Sequence, residues 1–300
     1  MQDLPDFLKP RPDTPVLVHP AQGQVLPLVC DSPHSGTAYP ADFGAAVPLT
    51  LLRRGEDSLV QMLWEQWPQH GATLIEATFP RTYIDPNREE GDISPAMLDG
   101  PWPEPLQPSV KTQQGLGLIW EKISLSGKAT PMYARQLSVA EVQQRIAHYW
   151  RPYHAALAQA IRWSVERFGG VWHLNLHSMP SDVYARLGTP DKHLADFVLG
   201  DRDGTTCDPA FIHLIGETLQ SLGYSVAYNE PYKGVALIGR IGQPQYHRHS
   251  LQIEINRRIY LNEDTREANA HFAQLQQDLQ QVMHEVAQYV RHQMPHLPSA

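Results

Sequence analysis

The sequence predicts a single α/β domain, with a central mixed and mostly parallel sheet between two layers of helices. Two observations carry this prediction. Short segments rich in apolar and β-branched residues alternate along the chain with segments that have helix start and stop signals. The 300 residues also contain no internal repeat and no linker clean enough to divide them. Alternation of this kind within one domain is typical of a sheet covered on both faces.

Five segments have the length and composition of strands. They are 24–30 (QVLPLVC), 72–79 (ATLIEATF), 171–176 (VWHLNL), 224–228 (YSVAY) and 250–255 (SLQIEI). The 26 prolines concentrate in residues 1–50 and 95–131, where neither a helix nor an inner strand is expected. We therefore expect loops there, and we describe residues 92–131 as a Pro-rich loop insertion in the domain 1–300. Whether this insertion moves as a lid is left open.

Three helices have identifiable ends. Ser138 and Glu141 form the S-x-x-E pattern of a capping box, which begins a helix expected over residues 138–168. A second helix is expected over 208–223, because Asp-Pro is a favourable start and the final Gly a favourable end. The amphipathic pattern of residues 265–294 predicts the last helix.

Composition argues against several kinds of partner. The chain has 24 basic and 32 acidic residues, a net charge of −8, and no run of like charges, so we expect no nucleic acid partner. No apolar stretch approaches the length of a membrane span, so no membrane partner is expected either. Residues 1–10 lack the pattern of a secretory signal, and Cys30 and Cys207 are too few for a disulfide framework. These features predict a cytoplasmic protein, and they leave the oligomeric state open.

Two histidines come directly after predicted strands, where open α/β sheets bind their ligands. His34 lies in the segment SPHSG, and His177 follows VWHLNL. Neutral imidazole is a common zinc ligand, and a catalytic zinc typically has three protein ligands and one open position. The pair therefore suggests a metal site whose third ligand is a carboxylate or another histidine. Glu56 and Asp57 follow soon after His34, although an acidic pair at a helix start is also an ordinary cap.

Glu254 lies on the polar face of the alternating strand 250–255. If that strand is central, its carboxylate is buried and needs a metal, an arginine or a catalytic role. An edge strand would instead leave the same face in water. The sequence leaves both alternatives open.

The segment PRTYIDPNR at 80–88 contains two arginines, an aspartate and an asparagine in one strand-to-turn passage. Arginine binds carboxylates through two parallel hydrogen bonds, so Arg81 and Arg88 make an acidic substrate plausible. Asn87 is suited to donate to a carbonyl or carboxylate oxygen. Arg240 is a further candidate for substrate binding.

In these segments the chain resembles the N-formylglutamate amidohydrolases. The matching pieces are SPHSG (32–36), EDSLVQ (56–61), PRTYIDPNR (80–88), YWRPYH (149–154), NLHS (175–178), DFVLGDRDGTTCDPAF (196–211), YKG (232–234) and QIEINRRIYLNE (252–263). They occur in the family's order, and together they are far more specific than any single one. Residues 92–131 match least.

The resemblance implies a zinc-exopeptidase-like (phosphorylase/hydrolase-like) fold that holds one zinc ion, and other divalent metals would also suit the site. By motif position, His34 and His177 match the metal histidines. Asp57 matches the carboxylate ligand, and the adjacent Glu56 leaves a one-residue ambiguity. Glu254 matches the catalytic glutamate, which takes a proton from water and returns it to the leaving amine.

The resemblance also implies the substrate, N-formyl-L-glutamate, which is a small acidic N-acyl amino acid cleaved to formate and L-glutamate in histidine degradation. Arg81, Asn87 and Arg88 resemble the groups that bind its carboxylate or carbonyl. His249 has a family counterpart of uncertain role, so it is both an alternative metal ligand and a candidate for substrate binding. Two rival functions stay open. One is a related metal-dependent deacylase or carboxypeptidase for another N-acyl amino acid, and the other is a non-catalytic binding protein on the same scaffold.

Overall fold

A seven-stranded sheet forms the centre of the computed structural model, which describes residues 14–125 and 128–298. The strands of the protein are β1 (Val16–His19), β2 (Leu28–Ser32), β3 (Thr73–Ala77), β4 (Lys122–Leu125), β5 (Lys128–Pro131), β6 (Val171–Met179), β7 (Phe197–Gly200), β8 (Val226–Tyr228), β9 (Arg248–Asn256), β10 (Leu261–Asn262) and β11 (Glu267–Ala268). The order in the large sheet is β1-β3-β2-β6-β9-β7-β8. Only the β1–β3 and β7–β9 pairs of this sheet are antiparallel, so the predicted mixed and mostly parallel sheet is confirmed.

Helices cover both faces of this sheet. They are α1 (Leu49–Leu52), α2 (Val60–Leu63), α3 (Val110–Gln113), α4 (Val139–Arg145), α5 (Arg151–Phe168), α6 (Val183–Arg186), α7 (Pro209–Ser221), α8 (Ala236–Ile241) and α9 (Phe272–Gln293). One apolar core lies between the sheet and α5, and a second lies between the opposite face and helices α2, α7 and α9. The arrangement is the expected α/β fold in three layers. Within the described part of the chain, no helix is both long and apolar enough to cross a membrane.

The helix ends follow the predicted local signals in most places. Ser138 accepts a hydrogen bond from the backbone of Glu141, and the Glu141 side chain accepts one from the backbone of Ser138. A π-helical stretch, Ile146–Trp150, joins α4 to α5 into one long element that ends at Gly169, whose φ is +79°. The Asp208 side chain caps α7 by accepting a hydrogen bond from the backbone N–H of Ala210 at 2.8 Å.

The structure differs from the sequence prediction at the start of the last helix, at two strands of the large sheet and in one predicted loop region. The last helix begins at Phe272 and not at residue 265, because β11 pairs with β10 and holds the chain extended. The strands β1 and β7 had no predicted counterpart, since each has only four residues. Residues 92–131, expected as loop, contain α3 and the β4–β5 hairpin.

The two central strands, β6 and β9, have one apolar and one polar face. Leu174, Leu176, Leu251, Ile253 and Ile255 enter the core beneath α7 and α9. Most of the residues that alternate with them, such as His173, His177, Gln252 and Glu254, are polar and face the other way. They are buried, so they need partners, and this polar face leads to the site at the carboxyl ends of the strands.

Candidate metal centre and active site

Three side chains from separate parts of the chain meet at the carboxyl end of the sheet. His34 follows β2, His177 lies near the end of β6, and Asp57 precedes α2. Asp57 Oδ2 is 3.5 Å from Nδ1 of His34 and 3.1 Å from Nδ1 of His177. The centroids of the two imidazole rings are 4.7 Å apart. All three residues are buried and offer ligand atoms within 4.8 Å of one another, which is close enough to share one cation.

The hydrogen bonds of the two rings fit a metal ion. His34 donates from Nε2 to Asp85 Oδ1 at 2.8 Å, while its buried Nδ1 has no hydrogen-bond partner among the described residues. His177 donates from Nε2 to Asn175 Oδ1 at 2.7 Å, and its Nδ1 faces Asp57. Metal-binding histidines typically donate one ring nitrogen to an oxygen and offer the other to the ion. The residues present therefore suit a divalent cation.

The structure brings Asp57, and not Glu56, to the histidines. The backbone N–H of Asp57 donates to the carbonyl of His34 at 3.0 Å, which ties the two loops together. Its Oδ1 accepts from Arg257 Nη2 at 2.8 Å. Burial alone would raise the pKa of Asp57, but His177, His34 and Arg257 hold this pKa well below its usual range. Glu56 accepts instead from the hydroxyl groups of Tyr39 and Ser58, on another side of the loop.

Glu254 lies on the strand beside the metal group, which consists of the side chains of His34, Asp57 and His177. In the register of β6 and β9, Glu254 is the direct partner of His177. Because β9 is a central strand, Glu254 is only 7% exposed, and the edge-strand alternative is wrong. Burial raises the pKa of Glu254 from 4.5 to about 7, His177 opposes this rise and Asp57 adds to it. A carboxyl group with a pKa near neutrality is suited to accept and return a proton.

Asp85 connects the metal group to the arginines. It accepts from His34 through Oδ1 and from Arg81 through Oδ2, at 3.1 Å from Nε and 2.7 Å from Nη2. The backbone of Asn87 also donates to Oδ1 at 2.9 Å, and the Asn87 side-chain amide lies 2.8 Å from Nε2 of His177. The predicted residues Arg81 and Asn87 therefore lie beside the metal group.

These side chains open into a cavity of about 220 Å³. Among the described residues that line it, two are carboxylates, Asp57 and Glu254, and six are cationic: Arg54, Arg81, Arg88, Lys111, Arg186 and Arg257. This excess of positive charge favours an anionic ligand.

Two of the predicted site residues do not reach this cavity. Arg240 is largely exposed and donates from Nη1 to Glu89 Oε2 at 2.7 Å, and it lines a separate groove of about 560 Å³ between α5 and α8. His249 lies near the start of β9, at the other end from Glu254. Its ring stacks on Trp172, and its Nδ1 accepts from the backbone of Asp208 at 3.1 Å.

Asn175, Gln252 and Arg257 also form hydrogen bonds with residues of the site, and the sequence assigned them no role. Gln252 donates from Nε2 to Glu254 Oε1 at 2.8 Å, and its own Oε1 accepts from the backbone of Val235 at 3.0 Å. For Asn175 and Gln252, the two-residue period of a strand would have been a usable signal, because each lies two residues before a predicted site residue. Arg257 lies beyond the end of β9, where no such signal exists.

The fold and this site define an α/β enzyme of the hydrolytic class, with three side chains that could hold a metal ion beside a buried acidic residue. Comparison with known proteins identifies the family. The sequence profile of the N-formylglutamate amidohydrolases matches residues 26–261, so the chain belongs to this family and is a hydrolase of amide bonds.

Individual relatives agree with this assignment. The N-formylglutamate deformylase of Pseudomonas aeruginosa is 28% identical over 242 residues, which cover 79% of this chain and 83% of that protein. The crystal structure of N-formylglutamate amidohydrolase from Ralstonia eutropha JMP134 is 56% identical with a TM-score of 0.90, and the match covers 93% of this chain and 99% of that one. The crystal structure of a gene product from Agrobacterium tumefaciens shares the fold, with 19% sequence identity and a TM-score of 0.58. The match covers 93% of this chain and 95% of that one.

Proposed function

We propose that the protein hydrolyses N-formyl-L-glutamate to formate and L-glutamate. The observation that carries this proposal is that one carboxylate oxygen of Asp57 faces Nδ1 of both His34 and His177, in a cavity that also contains Glu254. The relatives described above, which are named as N-formylglutamate deformylases and amidohydrolases, support the substrate.

His34, Asp57 and His177 would hold the metal ion, and we propose that this ion is zinc. Two imidazole nitrogens and one carboxylate oxygen are a donor set that zinc prefers. When bound, such an ion supplies a Lewis acid for the formyl oxygen and lowers the pKa of water.

Glu254 is the proton carrier in the proposed reaction. It accepts a proton from the water that adds to the formyl carbon, and it then donates this proton to the nitrogen as the carbon–nitrogen bond breaks. The hydrogen bond from Gln252 directs one oxygen of Glu254, which leaves the other free to move the proton. The products are formate and L-glutamate with a free amino group, and atoms and charge balance without a further reactant.

The guanidinium groups of Arg81 and Arg88 bind the carboxylates of the substrate in this proposal. Arg81 is held in place by Asp85, and Arg88 donates from Nε to the carbonyl of Leu116 at 2.9 Å, so both groups are oriented before substrate binds. A fixed guanidinium loses little side-chain entropy on binding a carboxylate. The Asn87 amide, beside His177, is placed to contact the formyl group or the α-carboxylate.

The direct experiment measures formate release from N-formyl-L-glutamate by the zinc-loaded protein and by Glu254→Gln. The variant keeps the shape of the side chain but cannot carry the proton, so we expect kcat to fall by about a hundredfold or more with zinc still bound. Glu217→Gln, at an exposed position on α7, is the matched control. Full activity of Glu254→Gln would remove the assigned role, and no formate release by the parent protein would refute the function.

A second experiment tests the metal site separately from activity. We expect His177→Ala to bind zinc far more weakly than the parent protein, whereas His213→Ala, on the exposed side of α7, keeps its zinc. Metal content after gel filtration measures the difference. A full zinc content in His177→Ala would contradict the proposed ligand set.

The finer biological assignment also remains a proposal. We propose that the reaction serves histidine degradation in the cytoplasm, which the family resemblance supports. The free, buried thiols of Cys30 and Cys207 are compatible with a reducing compartment. Rates with N-formyl, N-acetyl and N-succinyl derivatives of glutamate and aspartate would separate this function from that of a related deacylase.

A further inference from the structure

The Pro-rich insertion contributes a cation to the cavity. Lys111, in the short helix α3, lines the same cavity as Arg81 and Arg88. Partial burial and then repulsion from Arg88 and Arg81 lower the pKa of Lys111, as expected for three positive groups that line one cavity. Lys111 is more exposed than Arg81 and Arg88, so it lies on the solvent side of the cavity that the three residues line.

Hydrogen bonds to Asp92 and from Arg88 hold the segment around α3 in place. The backbone N–H and the hydroxyl group of Ser109 donate to the Asp92 carboxylate at 2.6 and 2.9 Å. The chain after α3 returns to the site, where Arg88 donates to the carbonyl of Leu116. Lys111 therefore belongs to the wall of the site and is not on a detached loop.

The charges of the cavity are only partly balanced by the protein itself. Arg81 is paired with Asp85, and Arg257 is paired with Asp57. Within residues 14–125 and 128–298, Lys111 has no carboxylate partner, and the hydrogen bonds of Arg88 go only to backbone carbonyl groups. Two cations that line one cavity and form no salt bridge with a described carboxylate favour the binding of an anion between or beside them.

The order of groups along the cavity matches the order of groups in a dicarboxylic substrate. Asn87-Arg88 lies next to the metal group, because the Asn87 amide is 2.8 Å from His177 Nε2. The α-carboxylate of an N-formyl amino acid is attached to the carbon that bears the reacting nitrogen, so it also lies near the metal group. The side-chain carboxylate is several bonds farther out, towards the mouth and Lys111.

We propose that Lys111 binds the side-chain carboxylate of the substrate and thereby makes the enzyme select N-formyl amino acids with an acidic side chain. This inference rests on the proposed function. Lys111 acts in substrate selection and has no part in the proton transfer. Its loss should therefore affect the binding of one substrate group and leave the chemical step intact.

The test compares N-formyl-L-glutamate with N-formyl-L-glutamine, which has nearly the same shape without the charge. We expect Lys111→Met to lower kcat/KM for the glutamate substrate by about tenfold, mostly through KM, and to change that for the glutamine substrate by less than about twofold. Lys111→Arg should restore most of the preference. Lys128→Met, at an exposed position on β5, is the matched control and should change neither value.

Different failures have different meanings. An equal loss with both substrates, or no loss with either, would overturn the role of Lys111 while the formate released by the parent protein still supports the proposed function. If the parent protein releases no formate from either substrate, the function and this inference both fail. A preference lost in Arg54→Gln but kept in Lys111→Met would also overturn the inference, because Arg54 would then be the selecting cation of the cavity.

Discussion

Asp85→Asn should weaken metal binding although Asp85 is not a metal ligand. The carboxylate of Asp85 is completely buried, and its two oxygens serve different partners. Oδ1 accepts from His34 Nε2, and Oδ2 accepts two hydrogen bonds from Arg81 and one from Trp120 Nε1. Asparagine keeps the size and one acceptor, but it turns an N–H group towards the Arg81 and Trp120 donors if its oxygen stays with His34.

The expected magnitudes follow from these contacts. Loss of a charged partner behind a metal-binding histidine typically costs 10- to 100-fold in metal affinity, which corresponds to about 1.4–2.7 kcal/mol. Two hydrogen bonds from a guanidinium group that is 17% exposed are also lost, and this should lower the free energy of unfolding of the metal-free protein by about 3 kcal/mol. Arg81 loses its anchor, so KM should rise as well.

Competition with a coloured zinc chelator measures the affinity, and urea unfolding in the presence of a metal chelator measures the stability. Asp92→Asn is the matched control, since Asp92 is also a buried, multiply hydrogen-bonded aspartate but contacts none of the proposed metal ligands. The control should lose stability and keep its zinc affinity. If Asp85→Asn binds zinc as tightly as the parent protein, the proposed link from Asp85 through His34 to the ion is wrong.

Three further predictions concern Gln252, His249 and Gly36. Gln252→Met removes the hydrogen-bond donor to Glu254, so we expect kcat for formate release to fall about tenfold and KM to stay within about twofold. Equal changes in kcat and KM would argue for a general loss of structure. Burial lowers the pKa of His249 to about 4, so only the unfolded chain binds this proton between pH 6.5 and 4, and stability falls as the pH falls. Between pH 7 and pH 5 the free energy of unfolding in urea should fall by about 2 kcal/mol less in His249→Asn than in the parent protein. An identical fall in both proteins would contradict the lowered pKa of His249. Gly36→Ala would place Cβ 2.3 Å from the backbone oxygen of Phe79, so we expect a loss of at least about 2 kcal/mol in urea unfolding, and an unchanged midpoint would show that the SPHSG loop can move.

Local signals in the sequence were sufficient for most helices and for the central strands. The capping box at Ser138 and the Asp208 N-cap act within a few residues, so they could be recognised without the fold. The segments that became β6 and β9 were long and apolar enough to be recognised as strands. Their alternation also placed Glu254 on a polar face, although only the structure shows that this strand is central.

Other features depended on contacts between distant parts of the chain. The start of α9 was misplaced because the β10–β11 pairing competes with a helical pattern that continues through it. The short strands β1 and β7 form because a neighbouring strand completes their hydrogen bonds. A segment of four residues has too short a pattern to predict such pairing. Arg240 and His249 were reasonable candidates by residue type, and the fold places both outside the cavity.

The amino-acid sequence by itself determined the class of fold, the family motifs and the residues able to bind a metal and carry a proton. These depend on residue type and on spacing along one segment. The tertiary structure alone decided that Asp57 and not Glu56 meets the histidines, and that Asn175, Gln252 and Arg257 form hydrogen bonds with residues of the site. The physical reason is that a side chain's partners across the sheet depend on strand order and register, which arise only when distant segments pack together.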